Sequence, residues 1–520
     1  MKKLMALALC LGLAFSMTAC VAENRTFVPS GGQLVMNAGE DSDATVPVQE
    51  SQPQELTLTY YPKRSTNPFT CTDYTNRTLF SLIYQGLFSV NKDYEATPIL
   101  CSRYEISQDM MTYTIHLTQN ATFSDGSMVT IEDVMASYAA AKKSAYYGGR
   151  FVHITNYYAE GSAIIFQLDT PMEDLLILLD IPIVPAEQVD VEAPLGTGAY
   201  SLHSTITSGY LQRVGNWWCK DTADLMVNAS SIPLVAAESA AQIRDQFEFY
   251  DLDLACANPC SNQYADFRCD YELWDCENGE MLYLACNVTY RDFFSTSTLR
   301  SLLTYGIDRE GLSEKYFRSF ARPVTLPAST YFPEYNTGLA SKYEYNPERF
   351  KELLPSAPYP GRDLVMLVNS DDTLRLQTAR DIAATFTALG LPVTVVGLNT
   401  DDFLNRIYAG NYDLYLGSTR LSPNMDLSPF FQSNGSLSYN GIANSNLYQL
   451  CLEALENHGN YYSLYQEVVE DGRIVPVLFC GYAVYATRGL LSDLQPARDN
   501  VFYYTLGRTL EDAMVAFNYS

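Results

Sequence analysis

Chemistry in this chain would have to come from its carboxylates, histidines or cysteines, so their spacing is weighed first. Asp125, Glu132 and Asp133 lie close enough together to suggest a general acid and base. Their neighbours assign them other duties. Phe123-Ser124-Asp125-Gly126-Ser127 has the composition of a turn whose glycine takes positive φ. Thr130 precedes Ile131-Glu132-Asp133-Val134, so its hydroxyl can cap the third helical amide while Asp133 reaches back, as in a capping box. Cys256, Cys260, Cys269 and Cys276 contain no tight C-x-x-C pair and have no histidine nearby, which favours disulfides or buried thiols over zinc. His116, His153, His203 and His458 are scattered, which suits surface or core positions better than metal ligation. No Gly-x-Ser-x-Gly elbow, Walker loop or zinc-helix motif occurs. No catalytic residue, metal or cofactor is expected.

The elements that could position a binding site are legible from periodicity. Residues 55–60 alternate as a strand, as do residues 113–117. The helix opened by Thr130 runs on through Met135, Tyr138 and Ala139 and ends before Gly148. In the second half, Leu374, Leu376, Ala379, Ile382, Ala383 and Phe386 share a helical face, and Gly390 supplies a stop. A short buried strand at 393–396, a helix at 401–408 stopped at Gly410, and a strand at 412–416 follow. That β, α, β order predicts parallel pairing and an α/β lobe. Ligands gather at the carboxyl ends of such strands, here near Gly417 to Phe431.

The first residues carry Lys2 and Lys3, an apolar run from Leu4 to Phe15, and Ser16-Met17-Thr18-Ala19-Cys20. This reads as a signal peptide over 1–19, with Cys20 acylated after cleavage as in a bacterial lipobox. Met17 stands where that pattern usually has Leu. Residues 20–54 are rich in Gly, Ser, Gln, Pro and acids and nearly lack aromatics, as a flexible tether does. The formal net charge is −27, and losing Lys2 and Lys3 with the signal makes it −29. Such acidity argues against nucleic acid and against adhesion to anionic lipid. The 39 tyrosines suit recognition surfaces and strands alike.

Several segments together carry a family likeness. Tyr84-Gln85-Gly86-Leu87-Phe88, Pro98, residues 113–117, Phe123-Ser124-Asp125-Gly126 and Glu132-Asp133-Val134 follow one another in order. Gly196-Thr197-Gly198-Ala199-Tyr200, Asn216-Trp217-Trp218, residues 243–255 and the stretch 283–287 ending in Asn287 come next. The helix 299–309, ending in Ile307-Asp308-Arg309, is the most specific match, and residues 461–479 complete the series. This succession resembles the bacterial family 5 solute-binding proteins, which serve dipeptide, oligopeptide and nickel importers. The likeness spans roughly 55–520.

That resemblance implies an α/β, two-lobed periplasmic-binding-protein-like fold (type II, cluster C) with an extra small inserted domain. It places lobe I at 55–82, 195–285 and 485–520, the insert at 83–194, and lobe II at 286–484, with hinges near Asn287 and Tyr485. It also implies a monomer on the extracytoplasmic face of the cell membrane, handing a peptide or other small polar solute to an ABC permease and ATPase complex. Relatives hold a peptide amino group with an acid in a Gly-Trp-x-x-Asp-x-x-Asp-Pro segment, and here the chain departs. The first acid falls at about Ser422, and only Asp426 keeps the second. Arg420 instead offers a forked donor suited to carboxylate or phosphate. The expected cleft is lined by Arg420, Tyr74, Arg77 and Tyr482, with Ser422 and Asp426 at the family positions. The bland alternative pairs Arg77 and Arg420 with surface acids. A peptide-sensing lipoprotein without an importer and a cell-surface hydrolase are the competing functions.

Overall fold

Two long strands, Glu272–Cys286 and Ile474–Ala486, run antiparallel through the middle of the fold in the computed structural model. The second is buried along its whole length, which explains its nearly unbroken apolar sequence: a strand covered on both faces has no polar side to alternate with. The structure describes residues 56–205, 207–225, 227–491, 494–501, 503–506 and 514–518. The expected signal peptide, Cys20 and the tether lie outside these residues.

Around the two long strands a seven-stranded sheet is built in the order 254–257, 474–486, 272–286, 414–420, 364–369 and 393–398, with the short strand Arg322–Pro323 on 474–486. The strands Leu364–Asn369, Val393–Leu398 and Leu414–Arg420 are mutually parallel where they pair, and helices Thr373–Ala388 and Thr400–Tyr408 make the crossovers. This is the β, α, β lobe expected from sequence. Helix Thr373–Ala388 starts on Asp372, which accepts from the Arg375 amide at 3.0 Å, and buries Ala379, Ile382, Ala383 and Phe386.

A second sheet holds strands 58–60, 231–236, 209–213 and 200–204 in that order. A third holds 101–107, 112–117, 163–168 and 154–160 as an antiparallel run. The last described strand, Met514–Asn518, adds to it in parallel beside Cys101–Ser107. The segment 485–520, expected in lobe I, therefore ends on the sheet of the 83–194 segment. Five residues do not encode which open edge a strand takes.

Apolar packing divides along the two central strands. Cys276, Tyr482 and Val484 belong to the core under the second and third sheets. Met281 and Phe479 belong to a core on one face of the seven-stranded sheet, and Leu282 and Cys480 to the core on its other face. The changeover between cores thus falls between Cys276 and Met281 on one strand and between Cys480 and Tyr482 on the other. Glu272–Cys286 carries a bulge there, between Glu277 and Met281, with Gly279 at φ +82°.

The turn and cap predicted at 123–133 are present. Asp125 accepts from the Ser127 amide and hydroxyl at 2.9 and 2.6 Å. Thr130 and Asp133 exchange both capping-box bonds at the start of helix Ile131–Ala141. Among the described residues no helix is long and apolar enough to cross a membrane. The ten described cysteines are thiols, nine of them buried.

Candidate functional site

Asp73 caps the short helix Tyr74–Arg77 by accepting from the Asn76 amide at 3.1 Å, and this fixes where Tyr74 and Arg77 point. Arg77 is 6% exposed. One of its terminal nitrogens donates to the carbonyls of Pro68 and Cys71 at 3.1 and 3.0 Å, and the other to the Tyr147 hydroxyl at 2.7 Å. Its guanidinium lies 3.2 Å from the centroid of the Tyr146 ring. Arg420, at the end of strand Leu414–Arg420, covers the same ring at 4.0 Å. Two cations thus share one tyrosine, an arrangement that the negative face of the ring favours.

Arg420 is anchored by its Nε, which donates to the Asn278 carbonyl at 3.0 Å. Its Nη2 donates to the Tyr146 hydroxyl at 3.0 Å and pairs with Asp499. Tyr146 passes the contact on, its hydroxyl donating to Asp499 Oδ1 at 2.6 Å. Arg150 reaches the other oxygen, Nη2 to Oδ2 at 3.0 Å, and ties Asp180 and the Leu178 carbonyl through Nη1. Arg498 Nε stands 3.5 Å from Asp499 Oδ2. Asp499 therefore gathers arginines from a strand of the seven-stranded sheet, from the 83–194 segment and from its own turn.

The electrostatics follow the geometry. Burial alone would raise the Asp499 carboxyl, yet Arg420, Arg498 and Arg150 hold it far below the usual carboxylate range. Burial opposes the charge on Arg420, but Asp499 and Tyr146 outweigh it and the pKa rises. Arg498 fares differently. Burial and then Arg420 lower it to about 10.

Tyr74 and Tyr482 complete one flank, their ring centroids 4.3 Å apart. The Tyr482 hydroxyl donates to the carbonyls of Ala497 and Asn500, holding the turn that carries Arg498 and Asp499. Beyond Tyr74 opens a pocket of about 210 Å³ that also meets Tyr61, Arg64, Asn258, Gln263 and Tyr264. Beside Arg77, Asp180 and Asp499 lies a smaller cavity of about 50 Å³.

Four of the six residues singled out from sequence thus meet in one assembly, Arg77 and Tyr482 buried and Tyr74 and Arg420 partly so. The other two have different partners. Ser422 donates to Asn424 Oδ1 at 2.7 Å. Asp426 accepts from the Ser428 amide at 2.8 Å and stands 3.4 Å from His153 Nε2. Arg77 and Arg420 do not pair with surface acids, since Arg420 meets the partly buried Asp499 and Arg77 meets carbonyls and tyrosines. Tyr146, Arg150, Arg498 and Asp499 were not foreseen. They lie in turns and a single 3-10 turn, where no periodicity marks an inward residue. Among the described residues no group of three or more His, Cys, Asp or Glu side chains is placed to hold a metal ion.

Comparison with known proteins agrees with this architecture. The profile of bacterial extracellular solute-binding proteins, family 5 Middle, matches residues 95–440. The glutathione-binding protein GsiB of Salmonella typhi is 22% identical over 319 residues, covering 56% of this chain and 59% of that protein. GsiB of Escherichia coli K12 is 24% identical over 323 residues with the same coverage. The chain spans somewhat over half the length of these curated relatives. Among solved structures, the putative peptide binding protein AppA of Clostridium difficile superposes with a TM-score of 0.69 at 14% identity, over 87% of this chain and 100% of that one. NikA of Brucella suis, in complex with Fe(III)-EDTA, gives 0.69 at 16% identity, over 87% and 99%. AgaA of A. tumefaciens R10, in complex with agropinic acid, gives 0.62 at 19% identity, over 84% and 93%. With the family profile covering well over half of its length on a shared two-lobed fold, this chain belongs to the bacterial extracellular solute-binding proteins, family 5.

Proposed function

We propose that the protein is the receptor lipoprotein of an ABC importer. Cys20 holds it to the outer face of the membrane, and the lobes close on a small solute that carries an acidic group. No covalent chemistry is involved; binding shifts a hinge equilibrium toward the closed form that a permease recognises. The single observation that carries the cargo class is the assembly of buried Arg77, Arg150 and Arg498 with the partly buried Arg420, where in this reading the second lobe meets the first lobe and the insert. Enclosed guanidinium groups recognise carboxylates strongly and with fixed geometry. Relatives named for glutathione and agropinic acid, both carboxylic acids, support the same reading. The missing amine-anchoring acid near Ser422 points away from a cargo recognised chiefly by its amino group.

The hinge of this proposal lies at the bulge of residues 277–281 and at Gly481, where the cores change over. The test begins with mass spectrometry of solutes released from protein purified out of its native cells. Calorimetry with the released solute then compares the wild type with Arg420→Ala. Loss of an enclosed, charge-assisted pair is expected to weaken binding by at least about tenfold, on the order of 1.5–3 kcal/mol. Equal affinities would remove Arg420 from the site. A released solute without any acidic group would overturn the cargo class.

A further inference from the structure

Asp499 is held in the way a bound ligand is held. Its two oxygens receive the Tyr146 hydroxyl at 2.6 Å, Arg150 Nη2 at 3.0 Å and Arg420 Nη2, with Arg498 Nε at 3.5 Å. The hydrogen-bond donors come from two separated stretches of chain, residues 146–150 and Arg420, and the neighbouring Arg498 adds an ion-pair contact. A carboxylate that only had to stabilise its own turn would need one such partner.

The surroundings remain short of negative charge even with Asp499 in place. Arg77, Arg150, Arg420 and Arg498 face Asp180 and Asp499, with the buried Glu277 in the slit beside Arg498, which leaves one positive charge in excess. Like charges out of water are costly unless an anion joins them. Donors also stand idle. Arg498 is 6% exposed, and its Nη1 has no hydrogen-bond partner, nor does the Nε of Arg77 or of Arg150. Arg498 and Asp499 line a slit with Glu277 and Tyr94, and Asp499 also walls the cavity of about 50 Å³ beside Arg77. That space is enough for roughly a few water molecules, and so for one small acidic group.

Asp499 can leave without dismantling an element. It projects from a turn in which the amides and carbonyls of Ala497 and Asn500 bond each other, outside any helix or strand. Arg420, in contrast, ends a sheet strand and is fixed through Asn278.

We propose that Asp499 is a built-in occupant of a carboxylate subsite formed by Arg420, Arg150, Arg498 and Tyr146, and that the acidic group of the solute displaces it. The inference rests on the reading of this cleft as the solute site. Asp499 competes with the cargo for these donors, so that only a solute with a matching acid group releases it. Weak anions are thereby excluded.

Acetate is the probe, because it supplies the missing group without any other part of a solute. Thermal midpoints are measured for wild type, Asp499→Ala and Asp499→Ala/Arg420→Ala, at fixed ionic strength, with acetate or with its neutral isostere acetamide. Asp499→Ala should melt lower than wild type and recover saturably by several degrees with acetate, while acetamide has no effect. Wild type and the double variant should not respond. The same Asp499→Ala protein should bind the solute released from wild type at least about tenfold more tightly, since an internal competitor has gone. Equal responses to acetate and acetamide, or an acetate response that survives loss of Arg420, would overturn the proposal. If Asp499→Ala does not fold, Asp499→Asn replaces it, keeping the shape and removing the charge. Acetate must then raise its midpoint more than that of wild type, and equal shifts count against the subsite. The acetate result does not depend on finding a cargo. Rescue by acetate with no solute ever recovered would sink the receptor function and leave the subsite standing, and the reverse pattern would do the opposite.

Discussion

At the scale of single residues, a charged constellation around His153 makes the fold sensitive to alkali. His153 is 3% exposed and lies between Asp169, 2.8 Å from Nδ1, and Asp426, 3.4 Å from Nε2, with the Ser428 hydroxyl at 3.1 Å. Burial alone would lower its pKa, but Asp426 and then Asp169 outweigh burial and lift it to about 9. A histidine whose folded pKa is raised contributes fully below its unfolded value near 6.5, and the contribution fades as pH climbs through about 9. Unfolding free energy should therefore fall between those two pH values, by on the order of 3 kcal/mol for this site. His153→Gln should flatten that slope in urea titrations run across the window. Parallel profiles for the two proteins would show that the His153 pairs carry no net stabilisation. From sequence His153 counts only as a scattered core or surface residue and Asp426 as a cleft residue, and the 273 positions between them hide their pairing. Arg420 was legible for a different reason. It follows directly on a strand whose carboxyl end is where α/β sheets present ligand groups.

Elements were read most securely where a local rule and the global pattern agreed. Thr130 with Asp133 announced helix Ile131–Ala141, and alternation announced strand Thr112–Leu117, whose burial alternates in step. The Gly-Thr-Gly motif at 196–198 was visible as a family resemblance, and its physical reason is close backbone approach. The Gly198 amide donates to the Ile83 carbonyl at 2.8 Å, and a Cβ on Gly196 would stand 1.9 Å from that same oxygen. The neighbour is backbone, so no rotamer change can make room. Gly196→Ala should therefore push the loop off helix Phe80–Ile83 and destabilise the fold by at least about 3 kcal/mol, read as a lower urea midpoint. A midpoint within experimental scatter of wild type would mean that the loop has slack the packing does not suggest. Pairing partners across the sheet were harder to foresee. Met514–Asn518 joins the open edge at Cys101–Ser107, roughly four hundred positions earlier, and nothing in five residues encodes that choice.

On the scale of the whole molecule, the proposed hinge and the arginine assembly meet at one residue. Gly279 lies in the bulge of the strand Glu272–Cys286, at φ +82°, and its absent Cβ would sit 2.6 Å from the guanidinium carbon of Arg498. The amide of Leu421 also donates to the Gly279 carbonyl at 3.1 Å, so the bulge touches the end of the Arg420 strand as well. An alanine there costs about 1 kcal/mol from positive φ alone. It also forces the Arg498 guanidinium away from Gly279, loosening the contact between the bulge and the turn that carries Asp499. Because the strain belongs to the closed arrangement, Gly279→Ala should shift the equilibrium toward an open form. Solution scattering should then give a larger radius of gyration than wild type without solute, and calorimetry should give weaker binding of the solute that the wild type releases. Far-ultraviolet circular dichroism should match wild type, which separates opening from unfolding. A Gly279→Ala protein as compact as wild type and equally tight in binding would move the pivot off this bulge and leave Gly481, on the other central strand, as the place to look.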